Sequence, residues 1–117
     1  MRSVRDLWKS SADIVVLSVL ADGPKYGYAI TKQVDAQTDS EVKLGPGVLY
    51  PLLHQMEKQG LVKAEWETIK AETGATGKGR KRKWYKLTAK GRKRLQQRAE
   101  VHRTHNRLIE SFLRAAK

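Results

Sequence analysis

The sequence predicts a mostly α-helical fold carrying one small β-hairpin, and three observations predict it. Apolar residues recur at three- and four-residue spacing in several stretches, the period of helices with one buried face. Residues 61–70 instead alternate apolar and polar, and a glycine-rich run separates them from a second strand-prone stretch at 80–87. Positive charge gathers at that second stretch: residues 78–94 hold ten of the 24 Lys and Arg and no acid, which leaves 14 basic against 12 acidic residues elsewhere.

The chain has 117 residues, enough for one domain, and a formal net charge of +12. That charge opposes compaction and attracts polyanions, so a nucleic acid is the default partner. An anionic membrane surface or an acidic protein would answer the same charge. Cysteine is absent from the sequence, which excludes disulfides, thiolate zinc sites and cysteine nucleophiles and fits a reducing, cytoplasmic setting. The opening MRSVRDLWKSS lacks the apolar run and cleavage site of a signal peptide. Residues 14–20 form the longest apolar patch, interrupted by Ser18 and too short to cross a membrane.

Taken in order, residues 1–11 read as a loose arm or a short first turn with Trp8 packed on the domain. Residues 13–22 read as a buried helix facing inward through Ile14, Leu17 and Leu20/Ala21, a face that Val15, Val16 and Val19 widen. Val15, Val16 and Val19 would also suit a strand, but the stop Asp22-Gly23-Pro24 fits a helix end better. A second helix covers 27–38 with Ile30 and Val34 inward. A third starts at Pro46, with Gly45 as N-cap, and stops at Gly60. Its apolar face is Leu49, Leu52, Leu53 and Met56, while Gly47, Tyr50, Pro51, His54 and Lys58 lie opposite. Pro51 removes one ladder hydrogen bond and predicts a kink near the helix start.

Residues 61–70 predict a half-buried strand with Val62, Ala64 and Trp66 on one side and Lys63, Glu65 and Glu67 on the other. Residues 71–79 are a glycine-rich turn, and Arg80 to Leu87 return as the second strand. Thr88 then caps a last helix running to Lys117, interrupted weakly by Gly91. Thirty residues of helix are about 45 Å long, more than a small domain can cover. The stripe of Leu95, Ala99, His102, Asn106, Ile109, Leu113 and Ala116, flanked by Val101, Leu108 and Phe112, therefore predicts pairing with a second chain.

Three helices, a strand, a basic turn and a strand, in that order, are the order of a winged helix-turn-helix. The expected architecture is a winged helix-turn-helix over residues 1–87 and a long C-terminal dimerisation helix over 88–117. In that arrangement the third helix enters a major groove, where Tyr50 and His54 reach bases or phosphates. The hairpin tip lies along the neighbouring backbone, where Lys78, Arg80 and Arg82 neutralise phosphates. A solvated basic loop is the plainer alternative, but ten cations without an acid argue for nucleic-acid contact.

The chain resembles the PadR family of bacterial transcriptional regulators, in its short form with a single C-terminal helix. The matching runs are GPKYGYAITKQV (23–34), KLGPGVLYPLLHQMEKQGLV (43–62), the strand with Trp66, and GRKRKWYKLTAKGRKRL (79–95). The resemblance implies homodimers that bind inverted-repeat operators, usually as repressors. It also implies DNA contact from the start of the second helix, the third helix and the wing. Here those positions are Tyr26, Gly27, Lys43, Gly47, Val48, Tyr50, Pro51 and His54, with the wing cations Lys78, Arg80, Lys81 and Arg82. Some members of the family bind flat aromatic effectors between the paired C-terminal helices, against a tryptophan. The comparable place here is His102, within VHRTH, which argues against a pore of that kind. Val101, His102 and His105 are candidates for a different effector pocket, weighed against plain core or interface packing.

Other chemistry finds little support. His102 and His105 share a helix face but have no carboxylate partner for a metal, so no metal and no cofactor are expected. The run GATGK (74–78) has the wrong spacing for a phosphate loop and Gly79 where the hydroxyl residue belongs. Without a Ser/His/Asp set or a carboxylate pair the chain is not expected to be an enzyme. The alternatives to a sequence-specific regulator are a non-specific nucleic-acid binder using the hairpin alone and an adaptor that docks an acidic protein.

Overall fold

The computed structural model describes residues 4–69 and 80–116. Its elements follow as α1 (Val4–Ala21), β1 (Lys25–Tyr26), α2 (Gly27–Gln37), α3 (Pro46–Lys58), β2 (Val62–Ile69), β3 (Arg80–Leu87) and α4 (Ala89–Ala115). The strands form one antiparallel sheet in the order β1-β3-β2. This is a winged helix-turn-helix, with β2 and β3 as the wing and α4 running out of the domain.

Two sequence expectations need correcting at the start of the chain. The segment expected as a loose arm or a short first turn is helical from Val4, continuous with the helix expected from Asp13. The inward stripe begins early: Trp8 packs against the core, Ala12 and Val16 are buried, and these three stand four residues apart. The buried face of α1 also departs from the expected one at Ile14, which is only half-buried, whereas Val16, Leu17, Val19 and Leu20 are buried as expected.

Between α2 and α3 the chain turns within eight residues. Thr38 Oγ1 donates to Val34 O (2.8 Å) and accepts from Val42 N (3.2 Å), closing the turn from inside. Asp39 (φ 50°) and Ser40 (φ 62°) take left-handed conformations there. Val42 and Leu44 are then buried, and Thr31 Oγ1 donates to Leu44 O (3.0 Å), which anchors the approach to α3.

Helix α3 has the ends its sequence predicts. Gly45 is an extended N-cap and Pro46 begins the helix. At the far end Gly60 is left-handed (φ 75°), Gly60 N bonds to Glu57 O (3.0 Å) and Leu61 N to Met56 O (2.9 Å). That pair of bonds, with Leu61 and Met56 both buried, is a Schellman motif with its apolar contact. Leu49, Leu53 and Met56 face the core, with Val16, Leu17, Leu20 and Ile30 opposite them.

Thr88 caps α4, accepting from Gly91 N (3.0 Å) as expected. Gly91 does not weaken the helix but allows it to dock. A Cβ there would stand 2.1 Å from Leu61 O, so only glycine lets α4 lie against the end of α3. Lys90 Nζ reaches Gln59 O (2.7 Å) and Arg98 makes two 3.0 Å bonds to the Asp13 carboxylate on α1. Beyond Arg98 the helix projects, and the described chain extends 68 Å along its longest axis against 30 and 21 Å across.

Candidate nucleic-acid interface

The outward face of α3 carries Gly47, Val48, Tyr50, Pro51 and His54, all exposed. Beside it begins α2, whose N-cap Tyr26 has extended backbone and offers no side-chain cap. The first-turn N–H groups have no partner within the helix and carry its positive end, a favourable place for an anion. Gly27 opens that turn and is buried because the Tyr50 ring lies on it. A Cβ at Gly27 would stand 2.7 Å from the Tyr50 hydroxyl oxygen.

These groups border a cleft of 660 Å³ between α3, the start of α2 and the wing. Tyr26, Tyr50, Trp66 and Tyr85 supply aromatic wall, and His54, Arg82 and Lys83 supply the polar rim. The Arg82 guanidinium stands 4.8 Å from the centre of the Tyr26 ring. Lys83 Nζ stands 5.7 Å from the Trp66 ring, 5.6 Å from the Tyr85 ring and 3.8 Å from Glu57 Oε1 on α3. The Tyr26 hydroxyl donates to Glu67 Oε2 on β2. That bond is the main reason the Tyr26 phenol ionises above its ordinary range, with loss of hydration adding to it. Burial does the same to the Tyr85 phenol, helped by Tyr50 and Glu57 nearby.

Of the residues expected at the DNA, Tyr26, Gly27, Tyr50, His54 and Arg82 meet around this one cleft. Lys43 and Val48 lie on the other side of the α3 start, in a hollow of 370 Å³ shared with Trp8 and Lys9. Gly47 and Pro51 are exposed on α3 but border neither cavity. Lys81 is exposed on β3, opposite Thr68, and Arg80 begins that strand in register with Ile69. Lys78 and the glycines of the tip lie outside the described residues. Trp66 alternates as predicted yet is 65% exposed, because the wing outruns the part of the sheet that α3 covers.

Sequence reasoning missed Tyr28, Glu57, Glu67, Lys83 and Tyr85 as members of this neighbourhood. The alternation of β2 placed Glu67 on a face, but only the β2–β3 register sets it opposite Arg82.

On α4, Leu95 and Ala99 are half-buried, and Leu95 packs against the chain's own core. His102, Leu108, Ile109, Phe112 and Leu113 are exposed, with Phe112 at 73%. Val101, His102 and His105 border a shallow hollow of 330 Å³ with Ser10, Ser11, Ile14 and Arg98. His102 Nε2 also stands 3.0 Å from Asn106 Nδ2. Among the described residues no group of three or more His, Asp or Glu could hold a metal ion, and no helix is long and apolar enough to cross a membrane.

Residues 16–97 match the model of the transcriptional regulator PadR-like family. A transcriptional regulator from Clostridium thermocellum has a similar solved structure, with TM-score 0.78 and 28% identity over 96% of this chain and 98% of that one. A PadR family transcription regulator from Clostridium difficile is 32% identical, with TM-score 0.70 over 86% of this chain and 96% of that one. An uncharacterized protein from Lysinibacillus sphaericus is 24% identical over 108 residues, 92% of this chain and 93% of that protein.

Proposed function

Because the chain belongs to the PadR-like family of transcriptional regulators, and so serves DNA-binding regulation, we propose that it is a homodimeric repressor of an inverted-repeat operator. The observation that carries this reading is the gathering of Tyr26, Gly27, Tyr50, His54 and Arg82 around one cleft beside the exposed face of α3. With α3 in a major groove, Tyr50 and His54 contact base edges or phosphates. The start of α2 binds a phosphate through its free N–H groups. Lys78, Arg80, Lys81 and Arg82 follow the flanking backbone, and Lys43, Gly47, Val48 and Pro51 complete the contact at the start of α3.

Residues 1–87 form the DNA-binding unit in this proposal, and 88–117 join two copies through His102, Leu108, Ile109, Phe112 and Leu113, with Leu95 and Ala99 at the near end. The exposure of four large apolar side chains on the far half of α4 supports that role. A dimer presents two α3 helices about 34 Å apart, one turn of DNA. Repression then ends when a signal alters that spacing, and Val101, His102 and His105 are where an effector would sit. The protein works by binding, not by catalysis, in the cytoplasm.

Selection from random duplexes tests the proposal. It should return an inverted repeat, and footprinting should show two protected half-sites. Equal affinity for the selected and random duplexes at physiological salt would leave only a non-specific binder.

A further inference from the structure

The wing is strongly basic, yet an acid stands near each of the cations that border the cleft, Glu67 opposite Arg82 in the sheet and Glu57 beside Lys83. Glu67 lies directly opposite Arg82 in the β2–β3 register and accepts the Tyr26 hydroxyl. The Arg82 guanidinium lies over the same Tyr26 ring, 4.8 Å from its centre. Tyr26 thus links the start of α2 to both strands of the wing, to β2 through its hydroxyl on Glu67 and to β3 through its ring under Arg82. Across the cleft, Glu57 on α3 stands 3.8 Å from Lys83 on β3.

A carboxylate that accepts from a hydroxyl and faces a guanidinium occupies the place of a phosphate oxygen. We propose that Glu67 is a specificity-determining residue, an internal stand-in for a backbone phosphate that holds Tyr26 and Arg82 in position and cancels their pull on DNA of random sequence. This rests on the preceding reading, in which the start of α2 and the wing face the duplex.

The two kinds of complex use Arg82 differently. In a loosely held non-specific complex a side chain counts mainly as charge, and affinity comes from the counterions it releases. Glu67 offsets that charge, so random DNA gains little from Arg82. In a complex locked in register by Tyr50 and His54, position matters more than net charge. There Glu67 contributes by keeping Tyr26 and Arg82 stacked before DNA arrives.

The test compares the full-length wild-type chain with Glu67→Gln on a selected operator and on a random duplex, across a salt series. The variant should bind random duplex about threefold more tightly, the size of one exposed charge pair. Its random-duplex salt slope should steepen by about 0.9, one additional phosphate neutralised. Operator affinity should not rise, so the ratio of operator to random affinity should fall. Glu57→Gln, which frees Lys83, should move the random-duplex values in the same direction and serves if Glu67→Gln does not fold. An unchanged ratio and slope would overturn the inference. So would a loss confined to operators altered at a single base pair, which would make Glu67 a base reader. A wild-type chain that fails to discriminate overturns both proposals, whereas one that discriminates beside an unchanged variant overturns this one alone.

Discussion

At the scale of single residues, two glycines and two tyrosines carry most of what can be tested. Gly27 has no side chain because the Tyr50 ring occupies that space, 2.7 Å from where a Cβ would be. Gly27→Ala should push Tyr50 off the start of α2 and lower operator affinity about tenfold, the worth of one specific side-chain interaction with a base. A titration of labelled operator would measure it, with melting temperature as the control for folding. Gly91 meets backbone instead of a movable ring, since a Cβ would lie 2.1 Å from Leu61 O. Gly91→Ala should therefore cost about 3 kcal/mol of stability, read from urea denaturation. Tyr85 sets an alkaline limit. Burial raises its ionisation range in the folded chain, so its contribution is fully present below its ordinary value of 10.0 and is lost as pH rises beyond that. Tyr85→Phe should flatten the fall in stability above pH 10, measured by denaturation at several alkaline pH values. Tyr26 shifts in the same direction through Glu67, so part of the fall should persist in that variant.

At the scale of elements, α3 was the most legible part of the chain. Gly45, Pro46 and Gly60 marked its ends, and Leu49, Leu53 and Met56 its buried face, because these signals are local in sequence. The joint beyond it was not legible. Leu61 O receives bonds from Thr88 N and from Thr88 Oγ1, joining residues 27 positions apart. Thr88→Ala removes both the cap of α4 and this side-chain tie, and should cost about 1 to 2 kcal/mol in chemical denaturation. Strand β1 was invisible for a related reason. Lys25 and Tyr26 are too few to show alternation, and they become a strand only by pairing with Tyr85 and Trp84. At residues 1–11, Trp8 packs on the domain as expected, but the polar residues beside it hid the helix that carries it.

At the scale of the whole molecule, the far half of α4 is an unfinished surface. Phe112 and Leu113 are 73% and 61% exposed, on a helix that projects along the 68 Å axis of the described chain. Replacing both with Asp should leave the winged domain folded but shift the protein to monomers in sedimentation analysis. Operator affinity should then fall at least about tenfold, since two half-sites are no longer held by one particle. The Asp13–Arg98 pair links this helix to α1, and Thr88, Lys90 and Gly91 link it to the end of α3. In the proposed dimer, a change in the angle between the two α4 helices would therefore move the α3 helices with it.

The sequence by itself determined the order of the four helices and the β2–β3 hairpin, the ends and faces of α3, the cap of α4 and the basic character of the wing. Each of these rests on neighbours within a few residues, where periodicity, caps and charge counts are direct evidence. Only the tertiary structure decided which expected DNA-facing residues share one cleft and which are divided by the start of α3. It alone placed Glu67 against Tyr26 and Arg82, and Glu57 against Lys83. Those pairs join residues distant in the chain through sheet register and helix packing. A local pattern can show that a side chain faces a given side, but the partner it meets there is set by another part of the chain.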